Sequence, residues 1–215
     1  MPRGPLKLAL GGAVGLALAL LTIGTPVAGA ACGGVKHVRA ARDLTPGPPP
    51  LAIGDSVMLG ALGEVSRAGF EIDTRGCRQM GEGLGVIRSR RRSGRLPPFV
   101  VVALGTNLNI TSAQIGAALR IVGRRRVLGL VTPREDGGGS GSDARVVRDA
   151  GRRHPGRVLV LDWVSYSAGR GGWFGGDGIH LGPGGAAGLG RLLNRGLRRV
   201  YPLVARFEFV GGRAF

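Results

Sequence analysis

Apolar and β-branched residues gather in five short runs through the middle of the chain: Pro50 to Gly54, Phe70 to Thr74, Phe99 to Leu104, Val127 to Thr132 and Val158 to Asp162. Phe99 to Leu104 and Val158 to Leu161 contain no polar residue, the pattern of parallel strands covered by helices on both faces. Between the runs the period changes. Met58, Leu62 and Val65 fall at i, i+4 and i+7, and Ile115, Leu119 and Val122 repeat that spacing, which predicts helices with one buried stripe. A last helix is expected to begin near Pro183, because proline is well tolerated at the first helical position. Its buried stripe would be Leu189, Leu192, Leu193 and Leu197. Strand and helix alternate, so the expected fold is α/β, a doubly wound parallel five-stranded sheet in three layers. With the flavodoxin-like order 2-1-3-4-5, the first and third strands are neighbours. They flank the crevice beyond the carboxyl ends of the strands where ligands of such sheets bind.

The flanks read differently. Leu8 to Ile23 is an apolar run behind Arg3 and Lys7, and Ala28-Gly29-Ala30 follows it, so residues 1–30 are expected to be an export signal. An uncleaved anchor is the alternative, although the run is slightly short for a span. Cys32 raises a lipoprotein reading, but the usual Leu three positions before the cysteine is missing. Residues 31–50, with Pro46 and Pro48 to Pro50, show no period and are expected to be a linker. The folded domain is then 51–201, and 202–215 is a tail whose alternating Phe207 and Phe209 suggest an edge strand. Gly137 to Ser142 reads as a flexible loop near the active-site edge. Cys32 and Cys77 are the only cysteines; an exported location permits a disulfide, and two separate thiols are the other reading.

The chain has 215 residues and a net charge of +17, carried almost wholly by arginine, with Lys7 and Lys36 the only lysines. The clusters Arg88 with Arg90 to Arg92, Arg124 to Arg126, Arg152 with Arg153 and Arg198 with Arg199 fall where helices are expected to end or strands to begin. Cations at helix C-termini complement the macrodipole, a structural reading of the charge. The functional reading is attraction to an anionic cell-wall polymer or a membrane surface. No nucleic acid partner is expected.

Candidate chemistry lies at two places. Gly54-Asp55-Ser56 closes the first strand, and Asp177-Gly178-Ile179-His180 precedes the last helix. A serine hydroxyl needs a neighbouring base to become a nucleophile, and that base needs a third group to fix its tautomer. Of the three histidines, His37 lies in the expected linker and His154 in a charged, exposed helix end; His180 has Asp177 three residues upstream. In a tight loop that carboxylate reaches Nδ1 and turns Nε2 outward. Asp55 is assigned to holding the loop, without proton chemistry. Gly105-Thr106-Asn107 follows the third strand and would face Ser56 across the crevice.

These three blocks resemble blocks one, three and five of the SGNH, or GDSL, hydrolases, over the stretch from Leu51 to about Arg199. The resemblance implies the SGNH-hydrolase version of the flavodoxin-like fold, with Ser56 as nucleophile, His180 as base and later acid, and Asp177 as orienting acid. It implies an oxyanion hole from the Ser56 backbone N–H, the Asn107 side chain and a backbone N–H of the second block. For that last donor Gly76 is the choice and Cys77 the rival. Ile53 to Met58, Arg78-Gln79 and the Asp162-Trp163 to His180 stretch look similar to the extracytoplasmic SGNH domains of peptidoglycan O-acetyltransferases. A secreted esterase acting on an acyl, mainly acetyl, ester of cell-wall carbohydrate follows. An acetyltransferase served by a separate membrane acyl donor is the alternative. Trp163 and Trp173 are candidates to wall the substrate pocket; packing of the long loop is the other reading for them.

Other classes lack their signatures. No Gly-x-Ser-x-Gly elbow surrounds Ser56, no Gly-x-x-x-x-Gly-Lys loop is present, and two cysteines with three scattered histidines make no metal-ligand cluster. Neither metal nor cofactor is expected. The rival from another class is a non-catalytic, basic cell-wall-binding module that keeps the fold.

Overall fold

In a computed structural model of the chain, the structure describes residues 1, 32–135, 137 and 139–211, with backbone alone over 203–211. The expected export signal lies outside the described residues. One sheet organises the rest. Its strands are β1 (Lys36–Val38), β2 (Leu51–Gly54), β3 (Glu71–Thr74), β4 (Phe99–Ala103), β5 (Val127–Val131) and β6 (Val158–Leu161), in the order β1-β3-β2-β4-β5-β6. The last five are parallel and follow the expected 2-1-3-4-5 winding; β1 adds a sixth, antiparallel edge strand.

That edge strand corrects the linker expectation for residues 31–50. Lys36, His37 and Val38 pair with Thr74, Asp73 and Ile72, and a Cys32–Cys77 disulfide fastens the segment to the loop after β3. The pairing depends on a distant strand and a crosslink, so no local period announces it.

The helices are α1 (Ser56–Leu59), α2 (Leu62–Arg67), α3 (Met80–Arg92), α4 (Ser112–Val122), α5 (Ser142–Arg153), α6 (Trp163–Tyr166) and α7 (Pro183–Gly211). Period two along the central strands sorts the core into two layers. Leu51, Ile53, Val100, Val102, Leu128 and Leu130 face α3, α4 and α5, whereas Ala52, Val101 and Leu161 face α1, α2 and α7. Leu189, Leu193 and Leu197 are buried on α7, with Leu192 half-buried beside them. Residues 56–67 form two short helices broken near Gly60, where one was expected.

The tail also departs from expectation. α7 continues as helix through Pro202 to Gly211, so no edge strand forms over 202–211. Consequently Arg198 and Arg199 lie inside a helix, not at its end. By contrast, Arg90 to Arg92 do close α3, and Arg152 and Arg153 close α5. Among the described residues no helix is long and apolar enough to cross a membrane.

Candidate active site

β2 lies between β3 and β4 with Gly54 paired to both Thr74 and Ala103, so the three chains that leave these strands emerge side by side. Asp55 and Ser56 follow β2, Arg75 and Gly76 follow β3, and Thr106 and Asn107 follow β4. This is the crevice at the reversal of winding.

Asp55 binds the crevice together. Its side chain is the N-cap of α1, with Oδ1 accepting the Val57 N–H at 3.0 Å, while Oδ2 accepts from Thr106 Oγ1 at 2.5 Å and Asn107 Nδ2 at 3.2 Å. Thr74 Oγ1 donates to the Asp55 carbonyl at 2.8 Å, bringing in the third chain. Burial pushes the Asp55 carboxyl above the usual carboxylate range, opposed by the hydrogen bonds from Thr106 and Val57. Its position on the loop, 1 % exposed, suits the holding role expected of it.

The Asp177 turn brings the other half of the site. Oδ1 of Asp177 accepts the N–H groups of Ile179 at 2.9 Å and His180 at 3.0 Å. The tight turn requires Gly178 at φ 70°, a left-handed conformation that glycine adopts without a Cβ clash. Oδ2 then meets His180 Nδ1 at 2.5 Å, and His180 Nε2 lies 3.0 Å from Ser56 Oγ. The imidazole hydrogen bond, followed by the two backbone N–H groups, holds the Asp177 carboxyl down at about 2. The sequence places Ser56 and the Asp177–His180 pair on two distant segments, and the structure brings the three side chains into one chain of contacts.

Arg134, just after β5, braces that turn and was not singled out from the sequence. Its Nε donates to the Gly178 carbonyl at 2.8 Å, its Nη1 donates to Ser167 Oγ at 2.8 Å, and its guanidinium lies 4.0 Å over the Phe174 ring. Nothing in the sequence separates Arg134 from the other arginines; only the turn it reaches reveals its position.

The second-block segment is held from two sides. Arg78 is 3 % exposed, donating to the Asp73 carboxylate at 2.7 Å and the Asp73 carbonyl at 2.5 Å, and Arg75 N–H donates to the Gly54 carbonyl at 3.4 Å. Gly76 is buried against Cys32, where a Cβ would fall 2.7 Å from the Cys32 carbonyl oxygen. The rival, Cys77, takes a left-handed φ of 55° and closes the disulfide.

A cavity of about 30 Å³ is lined by Asp55, Val57, Met58, Thr106, Ile179 and Trp163 among others; Ser56, Asn107 and His180 are not in its lining. Trp173 does not line it. Its ring stacks on Trp163 and lies against the first turns of α7, where a Cβ at Gly188 would come within 2.3 Å of the indole. The two candidates for a pocket wall therefore separate, Trp163 at the cavity and Trp173 in packing.

No protein-family profile matches the chain. It is 31% identical over 135 residues to the O-acetyltransferase OatA of Staphylococcus aureus (strain NCTC 8325 / PS 47), a match that covers 61% of this chain and 22% of that protein. The chain thus spans about a fifth of the length of the curated relatives it matches. Among solved structures, the C-terminal catalytic domain of Streptococcus pneumoniae peptidoglycan O-acetyltransferase A, carrying a methylsulfonyl adduct, superposes with a TM-score of 0.63 at 21% identity, covering 71% of this chain and 93% of that one. A carbohydrate esterase family 3 structure from Talaromyces cellulolyticus gives a TM-score of 0.56 at 14% identity, covering 71% and 97%. A chain from Slackia heliotrinireducens assigned to the SGNH hydrolases gives 0.54 at 16%, covering 69% and 97%. Element order, the crevice after β2 and these superpositions agree: the chain has the fold of the SGNH hydrolases, and its sequence resembles a segment of the O-acetyltransferase OatA.

Proposed function

We propose that this protein is an exported serine esterase that cleaves short acyl esters, acetyl above all, of cell-wall carbohydrate. The observation that carries the reading is the unbroken relay from Asp177 Oδ2 through His180 Nδ1 and Nε2 to Ser56 Oγ, with contacts of 2.5 Å and 3.0 Å.

In this reading Ser56 Oγ attacks the ester carbonyl carbon and His180 Nε2 takes the hydroxyl proton. Asp177 steadies the imidazolium that forms, as in any serine triad. The tetrahedral oxyanion is received by the Ser56 and Gly76 backbone N–H groups and by Asn107 Nδ2. Asn107 Nδ2 donates to Asp55 Oδ2 and to Thr106 Oγ1, both at 3.2 Å, so the hydrogen aimed at Thr106 would turn to the oxyanion when substrate binds. Collapse breaks the bond to the alcohol, which leaves with the proton from His180. A second hydroxyl, deprotonated by His180, then attacks the acyl-Ser56 carbonyl and frees the serine.

If the second hydroxyl is water the enzyme is an esterase, and if it belongs to a sugar the enzyme is an acetyltransferase. The likeness to OatA favours this second reading specifically. The test is an assay of the purified protein on p-nitrophenyl acetate and p-nitrophenyl octanoate, with and without a chitooligosaccharide acceptor. Acetate release that is unaffected by acceptor supports the esterase; acetylated acceptor supports the transferase. No turnover of either ester, with or without acceptor, would remove the acyl-transfer reading.

A further inference from the structure

A groove of about 640 Å³ runs between α2 and α7, away from Ser56. Gly190 makes it possible, because a Cβ there would fall 2.9 Å from the Glu64 carbonyl oxygen and hold the two helices apart. Its walls carry Arg42 and Arg67 on one side and Arg191, Arg195 and Arg198 on the other, all exposed. The one carboxylate lining it, Glu64, is already bonded to Arg67. Among the described residues, Arg42, Arg191, Arg195 and Arg198 face no carboxylate.

The placement of these arginines is not explained by helix stability. Arg191, Arg195 and Arg198 recur at i, i+4 and i+7 in the interior of α7, where the macrodipole offers nothing to a cation. Like charges at that spacing repel. A second basic groove, lined by Arg120, Arg124, His154 and Arg157, differs in this respect. It lies at the C-terminal ends of α4 and α5, and Arg157 Nη2 donates to the carbonyls of Leu119 at 3.3 Å and Gly123 at 2.8 Å. Those cations finish helices; the α7 cations do not.

The α7 side chains are also steadied from beneath. Arg191 lies 5.7 Å over the Trp173 ring and Arg195 lies 5.2 Å over Tyr166, so part of their freedom is already lost before a ligand arrives. Helical rise spaces their backbone positions by about 6 Å and about 4.5 Å along the groove. Closely repeated cations in a concave track suit a chain with closely repeated anions, and the planar guanidinium forks suit phosphate. Among the described residues no aromatic ring lines the groove, so it offers no platform on which a base could stack.

We propose that the α2–α7 groove binds a linear phosphodiester polymer without bases, of the polyol-phosphate type, at a site separate from Ser56. The full chain is titrated at about 0.1 M salt with a fluorescent glycerol-phosphate oligomer. A single-stranded DNA of equal charge and phosphatidylglycerol vesicles are run in parallel. The triple variant Arg191→Gln, Arg195→Gln, Arg198→Gln should bind the oligomer at least about tenfold more weakly, with a shallower dependence on salt, because fewer counterions are released. The charge-matched variant Arg120→Gln, Arg124→Gln, Arg125→Gln should bind within about twofold of wild type. The pair Arg42→Gln, Arg198→Gln touches opposite walls and neither ring, so it should weaken binding even if the triple variant folds poorly. Equal losses in the two triples, no loss in the pair, or tighter binding of DNA or vesicles than of the oligomer would overturn the proposal.

Discussion

Asp177 uses its two oxygens for different tasks: Oδ1 builds the turn by accepting two backbone N–H groups, and Oδ2 holds the His180 imidazole. Asp177→Asn separates them. The asparagine oxygen can still accept the Ile179 and His180 N–H groups, so the turn should survive, but its amide presents a donor to Nδ1. The ring proton then moves to Nε2, which would donate to Ser56 where it must accept. Turnover should fall by roughly 10⁴ with an unchanged fold, as in the serine-protease precedent. Steady-state kinetics with a circular dichroism control checks this, and activity within tenfold of wild type would contradict the assignment. Asn107→Ala should cost on the order of 10²–10³ in kcat if the amide is one oxyanion donor. Thr106 would keep its bond to Asp55 in that variant, so the loop should hold. An Asn107→Ala enzyme with near-normal kcat would remove the oxyanion role.

At the scale of elements, legibility followed the length of the local pattern. Four of the five parallel strands are apolar runs and the fifth, β3, is short and mixed, yet all are readable within about a residue at each end. The start of α7 was announced by Pro183. β1 was not readable, because it has three residues, two of them exposed, and its partner is β3 far along the chain. Two phenylalanines at alternate positions in the tail suggested a strand, but so short a pattern fits a helix as well, and the long α7 extends through it. That extension also removed the helix-end explanation of Arg198 and Arg199. The disulfide is the crosslink that gives β1 a fixed place, closing a loop with a sequence separation of 45. Replacing both Cys32 and Cys77 by Ala should lower stability by about 2–4 kcal/mol. Urea denaturation of the oxidised wild type and the double variant measures it, and coincident transitions would show that the bond contributes nothing.

For the molecule as a whole, positive charge and a few depressed carboxylates set the response to acid. Burial pushes Asp162 up, but hydrogen bonds from Arg148, Ser165 and Thr132 outweigh it and hold the carboxyl at about 2. A carboxyl depressed in the folded state contributes stability that is present above its unfolded value of about 3.9 and is lost as pH falls through the folded one. Asp177, also at about 2, acts in the same direction. Asp55, raised by burial, acts in the opposite one. Melting temperature should therefore drop between about pH 4 and pH 2, and Asp162→Asn should flatten part of that drop while lowering stability at neutral pH. An Asp162→Asn protein with the wild-type pH dependence would contradict this account of acid sensitivity. The central claim, that these parts together make Ser56 a nucleophile, is tested most directly by treating the intact protein with a fluorophosphonate and locating the adduct by mass spectrometry. The predicted result is a single adduct on Ser56, absent in Ser56→Ala and strongly slowed in His180→Ala; a folded wild-type protein that takes up no label, or takes it elsewhere, would contradict it.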